Sequence, residues 1–310
     1  MNKVLLIPHG FIGDRLLTTS AIAVAKRFYP DLQTHMYLSP DFWYMDEVLN
    51  STGVIDGIVK KESETTSGWD SVLYMPHCRF DTNPVRIYCE SFIENLPIDT
   101  DLTPAFIDVT KLSVRNTFTV PTIPYITYQV DWENRTCLNV KKIIDGLVKR
   151  GIHCVPVGKI GPQANNLPES HPDFMLQERE RRFIFNETMT LIAHAKLHLC
   201  MNGGTAMFAG YVHTRCAMTT DWFYIRHNEQ KLDAYMYLNW IKQTPRDMSG
   251  EVKHHMFNPL ITEEELIKEA LFLYQCELDS PLTLPPNLIN YPQLMDKMVN
   301  NYNSPIFEGY

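Results

Sequence analysis

Apolar residues near the start of the chain come in short solid runs, separated by stretches that alternate with a helical period. Residues 3–8 (KVLLIP) form one such run, the pattern of a strand covered on both faces. In residues 14–28, Leu17, Ala21, Val24 and Phe28 recur at intervals of four, three and four, which predicts a helix. Tyr29-Pro30 ends it, because proline disfavours the helical conformation of the residue before it. The same reading predicts strands at 35–38, 54–59 and 71–75 and helices at 41–50 and 88–95.

Residues 113–124 (SVRNTFTVPTIP) interrupt the pattern with two prolines and several Thr and Asn, the composition of an interdomain linker. The alternation then restarts, with strands predicted at 125–130, 153–157, 197–201 and 215–219. Between them fall a helix at 139–150 stopped by Gly151 as C-cap, one at 186–195 with Asn186 as N-cap, and a short one at 205–211. A helix at 262–275 opens on three glutamates, which suit the positive end of its dipole. The tail from Leu282 is rich in proline and asparagine. Strands alternating with helices predict parallel sheets with helices on both faces. Two such runs predict two Rossmann-like, doubly wound α/β domains, 1–120 and 121–310, facing each other across a cleft.

Composition narrows the function classes. The 310 residues are 45% hydrophobic, enough for a large core, and the net charge is −8, so no global basic field advertises nucleic acid or anionic lipid. Seven scattered cysteines form no CxxC pair and read as buried reduced thiols. The opening run is too short and too weakly basic for a signal peptide, and no stretch approaches the ~20 apolar residues of a membrane span. The cytoplasm is the expected compartment, and the sequons at Asn50, Asn134 and Asn186 carry no meaning there.

Three loops at strand ends could carry chemistry. HGFIGD (9–14) leads from the first strand into a helix and ends on Asp14. A carboxylate there is stabilised in its charged form by the helix dipole, so it serves equally as a helix-starting residue shielded by Arg15 or as a proton acceptor. MNGGTAMFAG (201–210) places Gly203 and Gly204 between a strand and a helix, so the N–H groups of Gly204, Thr205 and Ala206 form either a phosphate site or a tight turn. VGKIGPQ (157–163) offers Gly158 and Lys159 to a nucleotide or is an ordinary connection. Asp99-Thr100-Asp101 reads as a solvated turn between Pro97 and Pro104, His254-His255 as a solvated pair, and Phe42 to Tyr44 as packing or as a surface that stacks on a sugar or base.

KVLLIPHGFIGDRLLTTSAIAVAKRFYP resembles the first strand and helix of glycosyltransferase family 9, the ADP-heptose:lipopolysaccharide heptosyltransferases. YLSPDFWYMDEVLNSTGVIDGIV, LNVKKIIDGLVKRGIHCVPVG and NETMTLIAHAKLHLCMNGGTAMFAG are similar to further pieces of that family, in the right order. Together they cover residues 1–59 and 125–220.

The resemblance implies a GT-B fold, with an N-terminal acceptor domain and a C-terminal nucleotide-sugar donor domain. It implies inverting, metal-independent sugar transfer with no cofactor beyond the nucleotide-sugar donor. Asp14 falls on the family's catalytic base, with Gly10, Gly13 and Arg15 beside the acceptor. Arg135 lies within one position of a donor-phosphate lysine, and Asn202, Gly203 and Gly204 fall on the Asp-Ser/Thr-Gly of the donor loop, followed by Thr205 and Ala206. Gly158, Lys159 and Arg182 complete the donor-side set, with Phe183 beside Arg182. Asn202, Gly203 and Met207 differ from the family's Asp, Ser/Thr and His.

The expected acceptor is a saccharide or a hydroxymethylated DNA base, as in phage DNA modification. Against duplex DNA, residues 1–120 hold ten Lys/Arg and fifteen Asp/Glu, a balance of −5, although Lys60, Lys61, Arg79 and Arg86 could form a local basic patch. A nucleotide-sugar epimerase, or a sugar-nucleotide or glycan binding protein without catalysis, is the alternative on the same fold.

Overall fold

The computed structural model describes residues 3–10, 12–75, 84–129, 131–132, 135–136, 138–157, 183–201, 204–219, 254–256 and 262–275. In the first unit β1 (Lys3–Ile7), β2 (Gln33–Tyr37), β3 (Gly57–Val59) and β4 (Ser71–Tyr74) form a parallel sheet in the order β3-β2-β1-β4. Val4, Leu5 and Leu6 are fully buried, as the solid apolar run of a central parallel strand requires. Helix α1 (Ile12–Phe28) packs on this sheet through Leu16, Leu17, Ala21 and Val24. Its polar residues Thr18, Thr19 and Ser20 are buried as well, because further helices cover its other sides. Thr18 and Thr19 satisfy themselves by donating to the carbonyls of Asp14 and Leu16, at 2.8 and 2.7 Å.

Several predicted elements take different limits. Asp14 lies in the first turn of α1 and not at its opening position, since the helix begins at Ile12. The helix expected at 41–50 splits into a 3-10 turn over Pro40–Met45 and α2 (Asp46–Ser51), and Trp43 Nε1 donates back to the Leu38 carbonyl at 2.9 Å. The strand expected at 54–59 is paired only over β3, at whose start the Asp56 side chain accepts from the Thr34 N–H and from Lys26. The helix expected at 88–95 is α3 (Pro84–Cys89), after which the chain turns and Asn95 takes a positive φ of 57°. Arg86 fixes that turn by donating to the carbonyls of Leu96, Pro97 and Ile98.

The second unit is a parallel sheet in the order β11-β10-β9-β5-β8, built from β5 (Tyr125–Gln129), β8 (His153–Pro156), β9 (Leu197–Met201), β10 (Cys216–Thr219) and β11 (His254–Met256). A two-residue hairpin, β6 (Asp131–Trp132) and β7 (Arg135–Thr136), follows β5 directly. Helices α4 (Leu138–Val148) and α7 (Glu263–Gln275) cover one face through Ile143, Ile144, Leu147, Leu266, Ala270 and Leu273. Gly151 stops α4 as predicted, with φ +79° and the Ile152 N–H returning to the Leu147 carbonyl. Helices α5 (Phe185–His194) and α6 (Gly204–Tyr211) cover the other face, and their core is continuous with that of the first unit.

The predicted linker is fastened at its start. Glu47 Oε2 of α2 accepts from the Ser113 N–H and from Asn186 Nδ2, both at 2.8 Å, and Asn186 also donates to the Ser113 carbonyl. Asn186 is therefore an inter-unit bond inside α5, whose N-cap position is Ile184 and not Asn186 as the spacing suggested. Arg115 grips Glu187 with its backbone N–H, Nε and Nη2, and the Ile184 N–H adds a fourth bond to that carboxylate. Burial alone would raise the Glu187 pKa, but the Arg115 bonds and the backbone N–H groups outweigh it and hold it below its ordinary value. A depressed carboxylate contributes stability above its unfolded pKa and loses it as pH falls through the folded one. The melting temperature of the wild type should therefore exceed that of Glu187→Gln at pH 7. The gap should narrow once pH drops below the ordinary value of 4.5, as measured by thermal melts from pH 7 to pH 3.

Candidate active site

Both sheets have a switch point, where successive strands are added on opposite sides and ligands of open α/β sheets bind. In the first sheet it lies between β1 and β4, and the loop that carries His9 and Gly10 leaves β1 there. In the second it lies between β5 and β9, where Gln129 ends β5 and α6 begins just beyond β9.

Asp14 is half-buried in the first turn of α1. The phenol of Tyr88, on α3, donates to Asp14 Oδ1 at 2.9 Å. The other oxygen, Oδ2, stands against Gly10, where an added Cβ would collide with it. Gly10 has φ +76°, so both its backbone conformation and the closeness of the carboxylate call for glycine. Arg15, only 4% exposed, turns away from solvent. Its Nη1 donates to the Gly10 carbonyl at 2.9 Å, and its Cζ lies 3.4 Å from the centre of the Phe42 ring. Burial lowers the Arg15 pKa, and Asp14, Tyr44 and Tyr88 act in the opposite direction. Arg15 thus holds the loop around Asp14.

Helix α6 opens at Gly204, so Gly204, Thr205 and Ala206 form its first turn, whose N–H groups have no partner within the helix. Thr205 Oγ1 donates to Gln129 Oε1 at 2.5 Å, a buried bond that ties this turn to the end of β5. Two residues further on, Met207 reaches α1, its Sδ 2.7 Å from where a Cβ on Gly13 would stand. A turn later the Tyr211 hydroxyl donates to the Leu16 carbonyl at 2.8 Å and accepts from Ser20. Contacts advance in the same sense along both helices, so the first turns of α1 and α6 lie side by side at the same end.

Of the other residues singled out by sequence, Arg135 lies in β7, on the hairpin that follows the C-terminal end of β5. Gly158, Lys159, Arg182, Asn202 and Gly203 lie outside the described residues. Phe183 packs edge-on against Phe118 at 6.0 Å. Asp101 of the DxD sequence is a surface turn residue, as expected, bound to Arg27 and to the Thr103 N–H. His254 and His255 sit in β11. Among the described residues, no three His, Cys, Asp or Glu side chains cluster as a metal site, and no helix is long and apolar enough to cross a membrane.

No protein-family model and no curated protein matches the chain. Solved structures do. ADP-heptose lipopolysaccharide heptosyltransferase II of E. coli superposes at a TM-score of 0.61 and 11% identity, over 88% of this chain and 98% of that one. A glycosyl transferase family 9 structure from Veillonella parvula DSM 2008 gives 0.58 at 12% identity, over 88% and 97%. The chain spans 58% of the length of TibC, an iron-containing dodecameric glycosyltransferase of enterotoxigenic E. coli H10407, at 14% identity and a TM-score of 0.49. The chain has the GT-B fold.

In this GT-B chain β1 and β9, which precede two of the three loops read from sequence, flank the two switch points, and Gly10 takes a positive φ beside Asp14. Sequence reasoning missed Tyr88 and Gln129. Tyr88 lies 74 residues from Asp14 and Gln129 lies 76 from Thr205, so no local pattern could join them. The signal available for Gln129 was its place as a polar residue closing the apolar strand YITYQ. Gly10→Ala should cost about 1–2 kcal/mol from the left-handed backbone alone, before the collision with Asp14 is counted. Urea unfolding of the variant checks it.

Proposed function

We propose that this chain is an inverting, metal-independent glycosyltransferase that moves a sugar from a nucleoside-diphosphate donor to a hydroxyl of an acceptor saccharide. The observation that carries the reading is the contact of Gly13 with Met207, which sets the carboxylate of α1 beside the N-terminal turn of α6. A base and an anion site so placed match the two ends of a sugar-transfer reaction. The glycosyltransferases that share the fold support the reading.

In the proposed reaction the acceptor hydroxyl gives its proton to Asp14, and its oxygen attacks the anomeric carbon from the face opposite the leaving group. The bond from that carbon to the diphosphate oxygen breaks, and the configuration inverts. The negative charge that gathers on the diphosphate meets the N–H groups of Gly204, Thr205 and Ala206 at the positive end of the α6 dipole. Gln129 keeps that turn in place through Thr205. Arg135, Lys159 and Arg182 are the basic residues we assign to the donor, with Gly158, Asn202 and Gly203 completing the backbone that receives it.

Thermal shift with ADP, UDP, GDP and CMP should single out one of the three diphosphates as raising the melting temperature, with CMP, a monophosphate, silent. Asp14→Asn should keep that shift but lose at least about 100-fold in release of the nucleoside diphosphate from the matching nucleotide sugar, the scale of a lost general base. Full release by the variant would remove Asp14 from the chemistry, and four silent nucleotides would remove the donor.

A further inference from the structure

We infer that Tyr88 is a positioning residue for Asp14, one that selects which carboxylate oxygen receives the acceptor proton. The inference rests on the reading of Asp14 as the base. Tyr88 is fully buried, on a helix whose main packing partner is α1. Its phenol donates to Oδ1, so that oxygen faces the core. Oδ2 stands over Gly10, which is exposed, so this oxygen faces the loop at the switch point.

A carboxylate on a short side chain has two broad orientations of its terminal torsion, and the bond from Tyr88 together with the close Gly10 backbone fixes one of them. The constraint carries a chemical consequence. A general base must present a lone pair within about 2.6–3.2 Å of the hydroxyl it deprotonates, and a small misplacement costs turnover. Tyr88 acts through Asp14 and has no contact with donor or acceptor in this arrangement. Its loss should therefore appear in turnover and not in donor binding.

The same helix supplies a control. Cys89 is the next residue of α3, equally buried, and burial pushes its thiol pKa up to about 12, the mark of an inert packing group. Tyr88→Phe keeps the ring and its packing and removes only the hydroxyl, whereas Cys89→Ala disturbs the packing and spares the hydroxyl.

The test compares wild type, Tyr88→Phe and Cys89→Ala on the nucleotide sugar whose nucleotide stabilises the wild type. Readouts are kcat and KM for diphosphate release and the melting temperature. Tyr88→Phe should lose about tenfold in kcat, with KM within twofold and the melting temperature within a few degrees of wild type. Cys89→Ala should melt lower and keep its kcat. Wild-type kcat in Tyr88→Phe overturns the inference. So does a kcat loss in Cys89→Ala that matches that of Tyr88→Phe, which would make the effect one of helix packing. Either result leaves Asp14 itself standing, because its role is decided separately by Asp14→Asn.

Discussion

The seat of Met207 on Gly13 is the contact on which the site depends. It lets α1 and α6 lie side by side with their first turns together, and the Tyr211 hydroxyl, held by Leu16 and Ser20, fixes how far each helix may slide along the other. A side chain at position 13 would have to displace the Met207 sulfur, and the first turn of α6 would move with it. The two units thus meet through a packed core and not through a solvated seam. This is why the middle of α1 buries Thr18, Thr19 and Ser20 where an amphipathic surface helix would expose them.

Two helix N-termini pointing the same way place two positive dipole ends next to each other. The arrangement favours negative charge, and Asp14 supplies one charge within the first turn of α1. Arg15, buried beside it, donates from Nη1 to the Gly10 carbonyl and lays its guanidinium against the Phe42 ring, so it shapes the loop around Asp14. A second seam is held by different means. Tyr44 meets Phe185 at 4.9 Å and Phe185 meets Phe208 at 5.2 Å, while Glu47, Asn186, Arg115 and Glu187 form the polar bonds around them. With both seams closed, the relative placement of Asp14 and the first turn of α6 is set by the fold.

Much of this order can be read along the chain. The strand–helix alternation and the stop at Gly151 follow from local rules of period and capping. The misreadings share a cause. Asn186 looks like an N-cap, and it is drawn instead to a carboxylate 139 residues away. Residues 54–56 look like strand, yet Asp56 is claimed by Thr34 and Lys26. In each case a long-range polar bond was worth more than the local preference.

The sequence by itself determined the two α/β units, the glycine at position 10 and the carboxylate four residues on, because these depend on backbone conformation and on hydrophobic period. Tertiary structure alone decided what faces that carboxylate. Tyr88 on one side, Met207 behind its neighbour and Gln129 under the opposing helix come from distant parts of the chain. Their meeting is a product of helix packing, whose side-chain contacts have no period that a single strand or helix could display.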